Sequence, residues 1–95
     1  MFGFESHHDE VYNETSNKSS WSHELIAGAA AFEAMKSVEN GSTDKHQLTK
    51  EAFAAIAGAE ADRLIETKGL DYMDKEKAKR QARANAERIY DEKYA

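Results

Sequence analysis

Apolar residues recur at helical spacing in three stretches of this 95-residue chain. Trp21, Leu25, Gly28, Phe32 and Met35 follow one another at intervals of four and three, which sets them on one face of a helix. The spacing predicts a first long helix over 21–39. Ser20 stands before it as an N-cap, and Asn40-Gly41 after it as a stop, because glycine takes the left-handed conformation without strain. A second helix is expected over 45–68, opened by Asp44 and Gln47 as a capping box and closed by Gly69 and Leu70 as a Schellman end. It offers two neighbouring stripes, Leu48-Ala52-Ile56-Ala59-Arg63 and Phe53-Ala57-Glu60-Ala61-Leu64. A third, over 72–94 and starting after Asp71 or Asp74, has the weaker stripe Ala78, Ala82, Ala86 (or Asn85), Ile89 and Tyr90.

Residues 1–19 lack this periodicity over any length and carry Glu5, Asp9, Glu10 and Glu14 among Ser and Asn. They are expected as a polar arm in front of a helical domain over 20–95. A turn of helix through Asp9 to Asn13, and docking of Phe2, Phe4, Val11 and Tyr12 onto the body, stay open. The absence of Pro and the abundance of Ala favour helix everywhere else. The fold class is therefore all-α, a small antiparallel bundle of about three helices.

Two features raise the question of self-association. Ile26-Ala27-Gly28-Ala29 returns as Ile56-Ala57-Gly58-Ala59, and Gly with Ala lets two helix backbones come close. The first helix is also apolar beyond its main stripe, at Ile26, Ala27, Ala30, Ala31 and Ala34. A helix apolar nearly all round needs cover on several sides, and two partners, one of them weakly apolar, leave it short. A homo-oligomer, a dimer or larger, is expected, with Trp21, Leu25, Gly28, Phe32, Met35, Ile56 and Gly58 as packing or interface positions. The alternative is a monomer whose N-terminal arm covers that helix.

The search for chemistry narrows the choice. No cysteine is present, which removes disulfides, thiolate metal sites and cysteine nucleophiles. His23-Glu24 opens like a zinc-hydrolase helix, but Ala27 stands where the second His ligand belongs. His7 and His8, beside Asp9 and Glu10, are weak metal candidates in an exposed segment. Glu33 and Glu60 fall on otherwise apolar faces, where a carboxylate needs a partner; Arg63 lies one helical turn from Glu60. The net charge of −5 disfavours broad nucleic-acid binding, and the basic stretch Lys75, Lys79, Arg80, Arg83 is diluted by Glu76, Glu87, Asp91 and Glu92. No run is long and apolar enough to cross a bilayer, and no signal-peptide pattern is visible, so a cytoplasmic protein with no membrane insertion is expected. No catalytic residue and no cofactor is expected.

The segments Ser22-His23-Glu24-Leu25-Ile26-Ala27-Gly28-Ala29-Ala30-Ala31-Phe32-Glu33-Ala34 and Ala57-Gly58-Ala59-Glu60-Ala61-Asp62-Arg63-Leu64-Ile65-Glu66-Thr67-Lys68-Gly69-Leu70-Asp71 carry a resemblance over most of the chain. With Asp74-Lys75-Glu76-Lys77-Ala78-Lys79 and the start Phe2-Gly3-Phe4, they resemble the fungal concanamycin-induced protein C family, the CipC-like antibiotic response proteins. The resemblance implies a small cytosolic fungal protein of stress and antibiotic response and no defined biochemical activity. Its polar motif residues to test are His23, Glu24, Glu33, Glu60, Asp62 and Arg63, with Glu66 and Lys68. A non-enzymatic, self-assembling stress-response protein is the reading that joins these observations. The other is a small-molecule binding module, with Trp21, Phe32, Phe53 and Tyr72 as walls for an apolar ligand or cofactor.

Overall fold

The structure is a computed structural model that describes residues 4–14, 21–41 and 48–94. The described residues form four helices: α1 (Phe4–Tyr12), α2 (His23–Glu39), α3 (Lys50–Thr67) and α4 (Lys75–Lys93). The expected count of three is thus one short. The additional helix lies in the stretch expected as a polar arm. Its apolar content is sparse, but Phe4, His7, His8 and Val11 share one face, and Phe4 and Val11 are buried on the body.

The helix ends follow local chemistry, with several starts shifted from expectation. Ser22 caps α2, its hydroxyl accepting from the Leu25 N–H at 3.1 Å. The expected cap Ser20 lies outside the described residues, and Trp21 precedes the helix as a buried residue. Thr49 caps α3 by accepting from the Ala52 N–H at 3.0 Å, so the helix starts at Lys50 and not at 45; the box Asp44 to Gln47 lies outside the described residues. Asp74 caps α4 by accepting from the N–H groups of Glu76 and Lys77 at 3.0 and 3.2 Å, which leaves Tyr72 and Met73 in the preceding turn. Gly69, at φ +68, closes α3 in a complete Schellman motif: its N–H donates to the Glu66 carbonyl, and that of the buried Leu70 to the Ile65 carbonyl.

α2 packs against α1, α3 and α4, and α3 packs against α4. The ion pairs set the directions. Lys50 at the start of α3 meets Asp91 near the end of α4, and Lys75 at the start of α4 meets Glu66 near the end of α3, so these two run antiparallel. His23 meets Asp74 and Glu39 meets Lys93, so α2 runs parallel to α4 and antiparallel to α3. Every residue of α2 from Leu25 to Ala31 is buried, as expected for a helix covered on several sides. On α3 the stripe Phe53-Ala57-Ala61-Leu64 faces inward, whereas Ala52, Ala59 and Arg63 of the other expected stripe are exposed and Ile56 is half-buried. Phe53 and Ala57 win because α4 covers that side. α4 contributes Ala78, Ala82, Ala86 and Ile89, all fully buried. None of the described helices is long and apolar enough to cross a membrane.

Phe53 is fully buried and meets Tyr90 and Tyr94 with ring centroids at 6.5 and 5.6 Å. Phe53→Ala should cost about 3–5 kcal/mol through lost burial and the cavity left behind. Urea unfolding followed by helical circular dichroism checks this, and the transition midpoint should fall with the slope unchanged.

Candidate functional site

The half-buried ionisable groups converge where α1 crosses α2 and α3. α1 presents His8 and Tyr12 one helical turn apart, and their rings stack with centroids 4.3 Å apart and planes at 21°. Phe32 of α2 flanks the His8 ring at 5.2 Å. His8 Nε2 lies 2.7 Å from Glu33 Oε1 on α2. The Tyr12 hydroxyl donates to Glu60 of α3. Arg63, one turn further along α3, donates from Nε to the other Glu60 oxygen at 2.9 Å and from Nη2 to the oxygen that Tyr12 holds. The bidentate fork is a strong form of carboxylate pairing.

This arrangement satisfies Glu33 and Glu60, which the sequence puts on apolar faces. Arg63 is the partner expected for Glu60; His8 and Tyr12 come from the segment expected as an arm. Burial raises the Tyr12 pKa well above its ordinary value, with the Glu60 hydrogen bond next in effect. The Glu60 carboxylate holds the Arg63 guanidinium charged to still higher pH than usual. Chemically the cluster is a clasp: donors on α1 and α3 close over acceptors on α2 and α3. The signal that could have revealed it is the spacing of His8, Val11 and Tyr12, which gives even a short acidic helix one docking face.

The two motif glycines admit side chains from neighbouring helices and do not face each other. His7 of α1 fills the space over Gly28, where an added Cβ would stand 2.2 Å from Nδ1. Arg83 of α4 fills the space over Gly58, with Nε 2.9 Å from such a Cβ. The His7 Nδ1 atom is buried without a hydrogen-bond partner. His7 also lines a surface depression with Glu10, Ser22, Glu24 and Leu25. A second depression lies beside the clasp, lined by Tyr12, Arg63, Leu64, Thr67 and Lys68.

The remaining candidates are dispersed. His23 Nε2 accepts from the Asp74 N–H at 2.9 Å, tying the start of α2 to the cap of α4. Glu24 is exposed, and Asp62 shares Lys75 with Glu66 at 3.8 and 3.2 Å. Among the described residues no three His, Asp or Glu side chains gather as a metal site, and His8 is engaged with Glu33. Trp21, Leu25, Met35 and Phe53 belong to the core, and Phe32 packs against it. Tyr72 is exposed, with its hydroxyl donating to the Trp21 carbonyl at 3.0 Å. Neither depression is lined by Trp21, Phe32, Phe53 or Tyr72.

A family model described as virulence factor CipC-like matches residues 7–93 of the chain. No curated protein and no solved structure gives a significant match.

Two outcomes test the site's geometry. Gly28→Ala should destabilise the protein by about 1–3 kcal/mol, because the new methyl group collides with His7 against a helix backbone. Adding His7→Ala should recover part of that loss, and a double-mutant cycle by urea unfolding measures the coupling. Gly58→Ala should be far milder, since Arg83 is exposed and free to swing aside.

In alkali, burial and Glu39 push the Tyr94 pKa up to about 12, and Tyr12 is raised as well. A folded-state pKa above the unfolded value means these phenols stabilise the fold fully below about pH 10. The part of Tyr94 should fade as the pH rises from there to about 12, and that of Tyr12 should go on fading beyond it. Tyrosinate absorbance during an alkaline titration should show the late step, and Tyr94→Phe should remove its part.

Proposed function

Since the chain belongs to the CipC-like virulence-factor family, we propose that it is a non-enzymatic, cytoplasmic protein of stress or antibiotic response that self-assembles by exchanging α1 between copies. The observation that carries this is the left-handed turn at Glu14, at the exit of the helix that covers the Gly28 face of α2. The expectation of an oligomer rests on apolar surface of α2 that α3 and α4 leave over. That surface is closed by α1, through Phe4, His7 and Val11 on the apolar side and His8 and Tyr12 at the clasp. Self-assembly through α2 therefore requires α1 to leave its own α2 and dock on that of a second copy, where every contact is remade. Exchange of an identical element is a low-cost route to a dimer.

The exit from α1 supplies a driving force. Glu14 follows the helix at φ +49, a left-handed conformation that strains a residue with a Cβ. An exchanged α1 leaves this turn by a different path and is free of that strain. The small-molecule reading has less support, because none of its four aromatics lines either of the two depressions among the described residues.

Light scattering across a concentration series tests the proposal, with a dimer expected at high concentration. Glu14→Gly relieves the strain in the closed chain and should weaken the dimer by roughly tenfold. Lys68→Ala removes the Glu14–Lys68 ion pair but keeps the strain, and should leave the dimer in place. A monomer at all concentrations, or a dimer indifferent to Glu14→Gly, would overturn it.

A further inference from the structure

The cations of this acidic chain are unevenly used. Lys50, Arg63, Lys68, Lys75, Lys79 and Lys93 each sit in an ion pair. Among the described residues, Lys77, Arg80, Arg83 and Arg88 have no ion-pair partner, and Lys36 is the only other cation in that position. All four are exposed on α4; Lys77, Arg80 and Arg88 lie on the side away from the buried Ala78, Ala82, Ala86 and Ile89, and Arg83 flanks them with its side chain over Gly58 of α3. We infer that this outer face of α4 is a docking surface for the anionic headgroups of a membrane, which it meets lying flat, without inserting.

Shape and charge together select that partner. From Lys77 to Arg88 the cations extend along about 16 Å of helix. The ridge is convex, and its middle is the small exposed residue Ala84, which lets the side chains on either side reach one plane together. Of the exposed acids on this helix, Asp91 pairs with Lys50 of α3 at 2.8 Å and Glu76 with Lys79 at 3.8 Å, while Glu87 and Glu92 moderate the charge of the ridge. Arg guanidinium groups suit phosphate and carboxylate oxygens, the acceptors that acidic headgroups display.

A duplex or single-stranded nucleic acid asks for more. It needs cations on both sides of a groove, or rings on which bases stack, and the outer face of α4 has neither. A polyanion that wraps the protein would also meet its acidic remainder. A planar sheet lying on α4 meets the acids of that helix but is held away from those of α1. The exposed acids Glu5 and Asp9 sit on α1, which packs on α2, and the molecule is 21 Å across its thinnest axis. Across such a span repulsion is screened, since the Debye length is about 8 Å at physiological salt. Three outward basic residues, with Arg83 at their flank, give at an anionic surface a weak, reversible and salt-sensitive attachment.

Sedimentation with vesicles of phosphatidylcholine, with or without about a third phosphatidylserine, tests this. The full chain should pellet with the anionic vesicles at low salt, remain in solution with the neutral ones, and lose binding roughly tenfold or more at high salt. Arg80→Glu with Arg88→Glu should abolish the binding while circular dichroism stays helical, both residues being exposed. Lys36→Glu, which reverses an unpaired cation elsewhere, should leave it intact. Equal pelleting with both vesicle types, or binding that survives the double reversal, would overturn the inference. So would retention on duplex DNA without vesicle binding, or salt-sensitive self-association without it.

Discussion

Everything in this fold depends on hiding α2. From Leu25 to Ala31 it is a continuous run of apolar or small residues, with no polar side chain until Glu33. Such a helix has no outside, so three other helices have to supply its environment. α3 and α4 supply most of it with Phe53, Leu64 and Ile89. The side toward Gly28 is left for α1, a nine-residue helix. Helices of that length are marginal alone, so α1 is held by what it docks on.

The clasp follows from that weakness. α1 buries Phe4 and Val11, a small apolar contribution. Polar contacts at its edge make up the difference, each joining it to a different helix. Glu33 anchors His8 on α2, and Glu60, already held by Arg63, anchors Tyr12 on α3. A carboxylate on an apolar helix face is costly only while it lacks donors. Here the same two carboxylates give α1 its register, while His7 fixes its depth by filling the gap left by Gly28.

Much of this was legible in the residues, and the failures are physical. The three long helices came from periodicity, and the Gly69-Leu70 end from left-handed glycine chemistry. α1 was missed because its stripe contains histidines in place of aliphatic residues, so a composition reading sees a polar arm. The buried side of α3 could not be chosen from sequence, since both stripes are apolar and α4 decides between them. The repeated Ile-Ala-Gly-Ala motif did mark close approach, but by His7 and Arg83 side chains, and not by one glycine-bearing backbone on the other. Sequence spacing shows where space is free on a helix and not which residue enters it.

The two ends of the functional argument meet in this asymmetry. The molecule has an acidic helix clasped onto α2 and a ridge of unpaired cations on α4, with Glu60 and Arg63 joined between them on α3. Charge that stays unpaired on one face of a net-acidic chain contributes little to folding, because exposed ion pairs are weak and solvent screens single charges. Apart from Arg83, which fills the space over Gly58, the ridge therefore adds little to folding, whereas Lys50, Lys75 and Lys93 each tie one helix to another. Its separation from α1 also means that the proposed surface attachment and the proposed exchange need not compete. In the proposed exchange α1 would move between copies while the outer face of α4 stays as it is.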